Sequence, residues 1–305
     1  MTNKRKIIEL IEGHYSLGKI NNISVCLGGM VNDSYIVTIN NNRYFFRLYK
    51  NNCEQDILIE HDLLCYLQKQ RFKTSPQLLF TKTKKTYVHY SERYGALFGF
   101  LDYEIVGDWD ANCDTIYLQS AAQLQASYHR AIFSWQPPHQ KNISIKAFLE
   151  NLRAKNNQQQ IFGSYNQCIE KNINKSIAFI PQITNLPKVM IHGDYHLENI
   201  MFHQQKAVAI LDFDWIFYTY RIFDIALAIF YFCSCWKMHC LCPHKAKNYL
   251  ENYQKIAPIS KQEHRMLNEF ITIACLYLLS WLSDCWHTLS QEQQKKYLEH
   301  FCCTL

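Results

Sequence analysis

Two short apolar runs, each followed closely by an aspartate, dominate the middle of the chain. The first covers residues 189–191 and leads into Asp194, and the second covers 207–211 and leads into Asp212. Short apolar runs bounded by turn residues are typical of buried strands. Because Asn199 follows the first run, we expect two carboxylates and one amide at a cleft formed by two adjacent strand ends. Such oxygen-bearing groups suit Mg²⁺ binding and phosphoryl transfer.

The order of these residues resembles that of a known family. His192-Gly193-Asp194-x-His196-x-x-Asn199 is followed by Leu211-Asp212-Phe213 and by Phe223-Asp224-Ile225-Ala226. This resembles the phosphotransferase family that includes aminoglycoside phosphotransferases, choline kinase and type II homoserine kinase, and it implies a protein-kinase-like fold. It also implies that Asp194 is the catalytic base, that Asn199 and Asp212 are Mg²⁺ ligands, and that Asp224 is a buried acid supporting the catalytic loop. The alternative is that these are turn residues at two strand ends.

The resemblance implies an α+β fold with two lobes. A small lobe with an antiparallel sheet, over residues 1–101, is expected to bind the nucleotide. A larger, mainly helical lobe, over 102–305, is expected to carry catalysis and the acceptor site. The chain has 305 residues and is 48% hydrophobic, which is enough for two globular lobes with a sizeable core.

A glycine-containing loop lies between two predicted strands, at 20–27 and 35–39. It contains Gly28, Gly29 and Asn32, and glycine permits a sharp bend or a close approach of backbone to a ligand. In the family that the chain resembles, this hairpin covers the nucleotide phosphates. An ordinary hairpin turn is the alternative interpretation.

Arg47 is a charged residue in the middle of an aromatic strand. It shares one strand face with Phe45 and Tyr49, because alternate residues of a strand point to the same side. The resemblance places Arg47 where protein kinases have a lysine that contacts the α- and β-phosphates, and it pairs Arg47 with Glu60 of the following helix. An exposed arginine on an edge strand is the alternative. Lys50 points to the opposite face and is the poorer candidate.

The adenine site is expected where the chain passes between the lobes. There the main chain from Phe98 to Leu101 is expected to bind the adenine ring. Main-chain contacts do not distinguish ATP from GTP, so both remain possible.

Two further clusters have competing interpretations. One contains four cysteines and two histidines that either pack structurally or hold a zinc ion as a brace: Cys233, Cys235, His239, Cys240, Cys242 and His244. The other contains Tyr277, Trp281 and Asp284, at helical spacing, which either pack in the core or hold an ammonium group of the acceptor.

These observations predict a Mg²⁺-dependent kinase that transfers the γ-phosphoryl group of ATP or GTP to a hydroxyl of a small molecule. The acceptor is expected to be an amino acid, amino alcohol, sugar or aminoglycoside. A catalytically silent nucleotide-binding scaffold is one alternative. A protein-serine kinase is another, but only residues 213–223 lie between Asp212 and Asp224, and Asp-Phe-Gly is absent.

Composition limits the partners and the compartment. The net charge of +6 comes from scattered lysine and arginine residues, so we expect no nucleic-acid partner. No apolar run approaches the roughly 20 residues that span a membrane, and no apolar signal segment precedes Glu9. Thirteen cysteines, an odd number, indicate reduced thiols and a cytoplasmic protein.

Overall fold

The computed structural model describes residues 4–26, 32–50, 53–108, 110–159 and 162–305. The helices are α1 (Lys4–His14), α2 (Glu54–Lys69), α3 (Thr115–Ile132), α4 (Ile145–Gln159), α5 (Asn166–Phe179), α6 (Arg221–Cys233), α7 (Pro243–Gln254), α8 (Lys261–Cys285) and α9 (Gln291–Thr304). The strands are β1 (Ile20–Cys26), β2 (Asp33–Ile39), β3 (Asn42–Leu48), β4 (Val88–Tyr90), β5 (Arg93–Gly99), β6 (Lys188–Ile191), β7 (Ile200–His203), β8 (Lys206–Ile210), β9 (Phe217–Tyr220), β10 (Ser234–Cys235) and β11 (Cys240–Leu241).

The chain divides into two compact units. The first contains Met1–Tyr103, Pro137–His139 and Ala209–Asp214, and the second contains the remaining residues. The sequence-based division at residue 101 assigned 209–214 to the C-terminal lobe. In the structure this segment belongs to the first unit, where the Ile210 amide donates a hydrogen bond to the Thr74 carbonyl at 2.8 Å.

The first unit is built on a five-stranded antiparallel sheet in the order β1-β2-β3-β5-β4. Helix α1 buries Ile7 and Ile11 against the sheet. The core residues from the strands are Tyr35, Val37, Ile39, Phe46, Leu48, Val88 and Leu97. Because these apolar positions alternate along β2, its other face is left for less buried residues.

Helix α2 buries two polar side chains along with its apolar stripe. Glu60 is 5% exposed and His61 is 1% exposed, although most glutamates on helices lie in water. Both bond to Tyr49, whose Oη donates to Glu60 Oε2 at 2.8 Å and lies 3.1 Å from His61 Nε2. These contacts compensate for the cost of burying polar groups.

The second unit is mainly helical, and its central helix is α6. Every residue of α6 is buried, and the helix packs against α7 and α8. At its start, Arg221 donates two hydrogen bonds of 2.8 Å from Nη2 to the carboxylate of Glu263. Glu263 also accepts from the Ser260 amide at 2.8 Å, in the capping box that begins α8. One carboxylate therefore joins the starts of two core helices.

Helix α8 bears on the expectation that no apolar run approaches the length of a membrane span. Together with the 3₁₀ turn that follows it, up to Thr288, the helix is long and apolar enough to cross a membrane. However, 61% of its most apolar stretch of 18 residues is buried inside the protein. Core helices of globular proteins have the same properties. Its packing against α4, α5, α6 and α9 accounts for its apolar character.

The two strands that precede the predicted site residues belong to different small sheets. Strand β6 pairs with β9, and β7 pairs with β8. The expectation that β6 and β8 are adjacent strands is therefore wrong. The apolar runs were read correctly as strands, but the residues that pair with them come from other segments, which local periodicity does not indicate.

Helix α6 ends at Cys233, although the apolar composition of the sequence continues to Trp236. Strand β10 then pairs with β11, so that Cys235 lies opposite Cys240. All thirteen cysteines are free thiols. Within the described ranges, no group of three or more His, Cys, Asp or Glu residues could hold a metal ion, so the zinc interpretation of the 233–244 cluster finds no support.

Candidate active site

The predicted site residues fall into two groups, one in each unit. In the first unit, Arg47 lies at the centre of a cluster of three carboxylates. Its Nη1 is 2.5 Å from Asp214 Oδ1 and 3.3 Å from Glu60 Oε1, and its Nη2 is 3.4 Å from Asp212 Oδ1. The Arg47–Glu60 contact is the pairing that the resemblance implies. A planar guanidinium can reach several carboxylates at once, which an ammonium cannot do as well.

The surroundings of Arg47 keep its guanidinium protonated. Its guanidinium lies 6.0 Å from the ring centre of Phe45 and 5.8 Å from that of Tyr49, on the strand face that alternation predicts. Burial lowers the pKa of Arg47, but the charges of Asp214, Glu60 and Asp212 outweigh burial and raise it. For Glu60, burial raises the pKa to about 8, against the opposing effect of Arg47. The cluster thus holds a permanent positive charge among acidic partners.

Asp214 connects Arg47 to Asn32, the described residue of the glycine-containing loop. Its Oδ2 accepts a hydrogen bond of 2.6 Å from Asn32 Nδ2, and Asn32 Oδ1 accepts from the Lys50 amide at 3.0 Å. Sequence reasoning assigned no definite role to Asp214, because a contact across 182 residues has no local signal. Gly28 and Gly29 lie outside the described residues.

Phe98 and Leu101 have different structural positions. Phe98 lies inside β5, where it pairs with Phe45 and forms a bridge with Leu78 on the other side. Leu101 lies beyond the end of β5, where the strand pairing has stopped. Phe98 therefore lies within the sheet and Leu101 just beyond it, and the adenine contact of these residues stays a prediction.

In the second unit, the segment after β6 makes a sharp turn at Gly193. Its φ is +77°, and a Cβ atom there would lie 2.5 Å from the Trp215 carbonyl oxygen. Only glycine accepts both the left-handed backbone and the close approach. The turn brings Asp194 to the start of the loop that contains the 3₁₀ turn Leu197–Asn199.

The carboxylate of Asp194 is held by side chains of its own loop. Asn199 Nδ2 donates to Asp194 Oδ2 at 3.0 Å and to its carbonyl oxygen at 2.9 Å, and His196 Nε2 lies 3.2 Å from the same Oδ2. Burial raises the pKa of Asp194, but His196 and Asn199 more than compensate, and the pKa is lowered. The group is therefore an ionised carboxylate at neutral pH.

A network of buried side chains holds this loop through the main-chain amide of Gly193. Asp224 is completely buried, and its Oδ1 accepts a hydrogen bond from the Gly193 amide at 2.8 Å. Its Oδ2 lies 2.9 Å from His129 Nε2 and accepts from Gln125 Nε2 at 3.2 Å. Asp224 thus makes the contact with the catalytic loop that the resemblance implies. His129, which is also fully buried, holds this acid in place.

The residues at 277–284 have different surroundings. Tyr277 is half-buried and packs its ring against Phe148 and Phe223 at centroid distances of 5.7 and 5.5 Å. Asp284 is exposed and forms an ion pair with Lys155 on α4. The tyrosine therefore packs among aromatic side chains, and the acid already has a cationic partner.

Sequence reasoning missed two side chains around Asp194. His196 was quoted within the motif but received no role, although the motif spacing was a signal for it. Tyr231 of α6 places its Oη 3.5 Å from Asp194 Oδ1. Its position within a uniformly apolar helix gave no signal of this contact.

These two groups of residues define a class of protein. A half-buried basic residue with a helix glutamate, and a loop that presents an aspartate and an asparagine, form the combination that kinase-like phosphotransferases use. A sequence model of the phosphotransferase enzyme family matches residues 22–259. The chain belongs to this family, which confirms the resemblance and the expected enzyme class, a phosphotransferase with an alcohol group as acceptor.

Curated relatives and solved structures agree with this assignment. Homoserine kinase of Methylobacillus flagellatus is 21% identical over 280 residues, covering 88% of this chain and 82% of that protein. Homoserine kinase of Bartonella tribocorum is 23% identical over 290 residues, covering 90% and 84%.

Among solved structures, a microcompartment-associated aminopropanol kinase has a TM-score of 0.76 at 17% identity, covering 98% of this chain and 95% of its own. Choline kinase from Cryptosporidium parvum has a TM-score of 0.67 at 14% identity, covering 98% and 94%. These similarities confirm the α+β, bilobal protein-kinase-like fold.

Proposed function

We propose that this protein transfers the γ-phosphoryl group of ATP to a hydroxyl group of a small molecule, with Asp194 as the catalytic base. The observation that carries the proposal is the environment of Asp194: a half-buried carboxylate whose pKa is lowered and which its own loop holds in one orientation. Such a carboxylate can orient an attacking hydroxyl and accept its proton.

The donor set fits a magnesium ion. Asn199 uses its amide nitrogen as a donor to Asp194, so its oxygen is the atom suited to a cation. The Asp212 side chain is 42% exposed, which leaves it accessible to a ligand. Carboxylate and amide oxygens are the ligands that Mg²⁺ prefers, and it retains several waters beside them. When bound, the magnesium–nucleotide complex supplies the phosphoryl group and neutralises part of its charge.

In this proposal Arg47, positioned by Glu60, contacts the phosphates. Asp214, which bonds to both Arg47 and Asn32, helps to hold Arg47 in place for that contact. The main chain near Leu101 contacts the adenine. The proposal requires Asp194 and Asp212 to meet at one bound nucleotide. A crystal structure with Mg²⁺ and a non-hydrolysable ATP analogue tests this directly, and carboxylates that face different ligands would overturn it.

We propose a small amino acid or amino alcohol as the acceptor, ahead of a sugar or an aminoglycoside. The relatives are named for homoserine, aminopropanol and choline. Glu198 supports an amine-bearing acceptor, because it follows Asp194 by four residues and lies near Asp108 and Asp110. Burial raises the pKa of Glu198, and these acids add to that effect. Local negative potential of this kind attracts a cation.

The decisive experiment is a screen of amino alcohols, hydroxy amino acids, sugars and aminoglycosides with ATP or GTP and Mg²⁺. Phosphorylated product is identified by mass spectrometry. We expect one amine-bearing hydroxyl compound to be phosphorylated from ATP. The Asp194→Asn variant should lose at least about 10²-fold in rate while its ATP affinity stays unchanged. Full activity of this variant would reject Asp194 as the base.

The scaffold alternative makes a different prediction. A catalytically silent protein would bind nucleotide with no acceptor-dependent turnover in the same screen. Phosphorylation of a protein serine, but of no small molecule, would favour the protein-kinase alternative. The proposal includes a cytoplasmic location, since thirteen free thiols suit a reducing compartment.

A further inference from the structure

Tyr231, on the buried helix α6, points its phenol group at the loop that contains Asp194. Its Oη donates to Asp194 Oδ1 at 3.5 Å, and its ring meets the His196 ring edge-on at a centroid distance of 5.2 Å. The side chain is only 7% exposed. A buried phenol normally has a hydrogen-bond partner, and here that partner is the carboxylate.

The two oxygens of Asp194 are held differently. Oδ2 accepts a hydrogen bond from Asn199 Nδ2 at 3.0 Å and lies 3.2 Å from His196 Nε2. Both of these side chains belong to the same loop as Asp194. Oδ1 faces α6 and the longer contact from Tyr231. Hydrogen bonds around a catalytic group are often long without ligand and shorten in the reacting complex. Oδ1 is therefore the oxygen better placed to take a proton.

We infer that Tyr231 is a positioning residue for the phosphoryl-transfer reaction: its hydroxyl orients Asp194 so that one lone pair of Oδ1 remains directed at the acceptor hydroxyl. This inference rests on the proposed role of Asp194 as the base. It adds a contact from α6, outside the motif, to those that the catalytic loop makes for itself.

The protonation states agree with this role. Burial raises the pKa of Tyr231 well above 10, so the phenol remains a donor at neutral pH. A donor to the ionised form of a carboxyl lowers its pKa, so removal of the donor should raise the pKa of Asp194. The other titratable groups near Asp194 are His192 and His196 of the loop, Glu198 of the 3₁₀ turn, and Tyr277 of α8.

The test is the Tyr231→Phe variant, which retains the ring against His196 and removes only the hydroxyl. We expect kcat to fall about 5- to 30-fold, less than the ~10²-fold or greater loss for Asp194→Asn. The KM for the acceptor should change less than about twofold, since binding contacts are untouched. The loss should therefore lie in kcat, and the melting temperature should fall no further than in the matched control.

Tyr128→Phe is the matched control, because it removes another buried tyrosine hydroxyl from the second unit, one that donates to the Met190 carbonyl at 2.8 Å. It should lower the melting temperature without a comparable loss of kcat.

Two results would overturn the inference. One is an unchanged kcat in Tyr231→Phe. The other is a loss of kcat that only parallels a loss of stability, as in the control. Failure of the underlying proposal has a different signature, because Asp194→Asn itself would then remain active.

Discussion

The main-chain amide of Gly193 donates to Oδ1 of Asp224 at 2.8 Å. A completely buried carboxylate on α6 thereby holds the residue directly before Asp194. The same carboxylate lies 2.9 Å from His129 on α3. The position of Asp194 therefore depends on two core helices as well as on the loop, and the first prediction follows from this.

Replacing Asp224 with alanine should destabilise the protein by about 3–5 kcal/mol, because it leaves the Gly193 amide and His129 buried without their acceptor. Urea denaturation measures this loss, and kcat should fall with it because Asp194 is no longer held. Asp62→Ala removes a partly exposed pair with His139 and should cost less than about 1 kcal/mol. Equal losses in the two variants would contradict a supporting role for Asp224.

Replacing Gly193 with alanine should lower both stability and activity. The added Cβ would lie 2.5 Å from the Trp215 carbonyl oxygen, and φ is +77°. We expect a loss of about 2 kcal/mol or more, and a kcat at least about tenfold lower. The control is Gly163→Ala, where φ is +53° but no atom lies within 4 Å of the added Cβ. It should cost only about 1 kcal/mol, and similar effects at both sites would reject the steric argument.

Replacing Arg47 should weaken nucleotide binding in two steps. Arg47→Lys keeps the charge but loses the fork that reaches Glu60, Asp212 and Asp214, so we expect the KM for ATP to rise about 3- to 10-fold. Arg47→Ala also leaves the three carboxylates without their cation, and should add a loss of about 2–4 kcal/mol in stability. Lys50→Ala removes a neighbouring, exposed cation as the control. An ATP KM that stays within twofold in Arg47→Ala would exclude a phosphate contact.

Stability should fall as the pH is lowered from 7.5 to 5, because several histidines are buried in neutral form. Burial lowers the pKa of His61 to about 3 and that of His300 to about 4, and it also lowers the pKa of His129. Below about pH 6.5 the unfolded chain takes up protons that the folded state does not, so each histidine costs about 1.4 kcal/mol per pH unit until its folded pKa is reached.

The slope of unfolding free energy against pH checks this prediction. His300→Gln should remove about 2 kcal/mol from the difference between pH 7.5 and 5. His264→Gln, at an exposed position on α8, is the comparison variant. A slope that His300→Gln leaves unchanged would show that this ring does not drive the pH dependence.

Much of the fold was predictable because its signals are local. The apolar spacing of residues 4–14 predicts α1 with its observed bounds. Strand alternation places Arg47 beside Phe45 and Tyr49, as observed. Such features depend on neighbours a few residues apart, which is the range over which helix and strand periods act.

The missed features depend on distant parts of the chain. Arg47 and Asp214 are separated by 167 residues, and Tyr231 and Asp194 by 37. The early end of α6 is similar, since apolar composition continues past Cys233 while the chain turns into the β10–β11 pair. Pairing partners of this kind are chosen by tertiary packing, which a periodic pattern does not record.

The carboxylate of Glu263 has a wider consequence for how the second unit comes apart. It closes the first turn of α8 and also neutralises Arg221 at the first residue of α6. Fraying of α8 from its amino end would therefore leave the buried guanidinium of Arg221 without its carboxylate partner. Such partial opening has a high free-energy cost. We expect amide hydrogens at the beginnings of both helices to exchange together, at the rate of the deepest core.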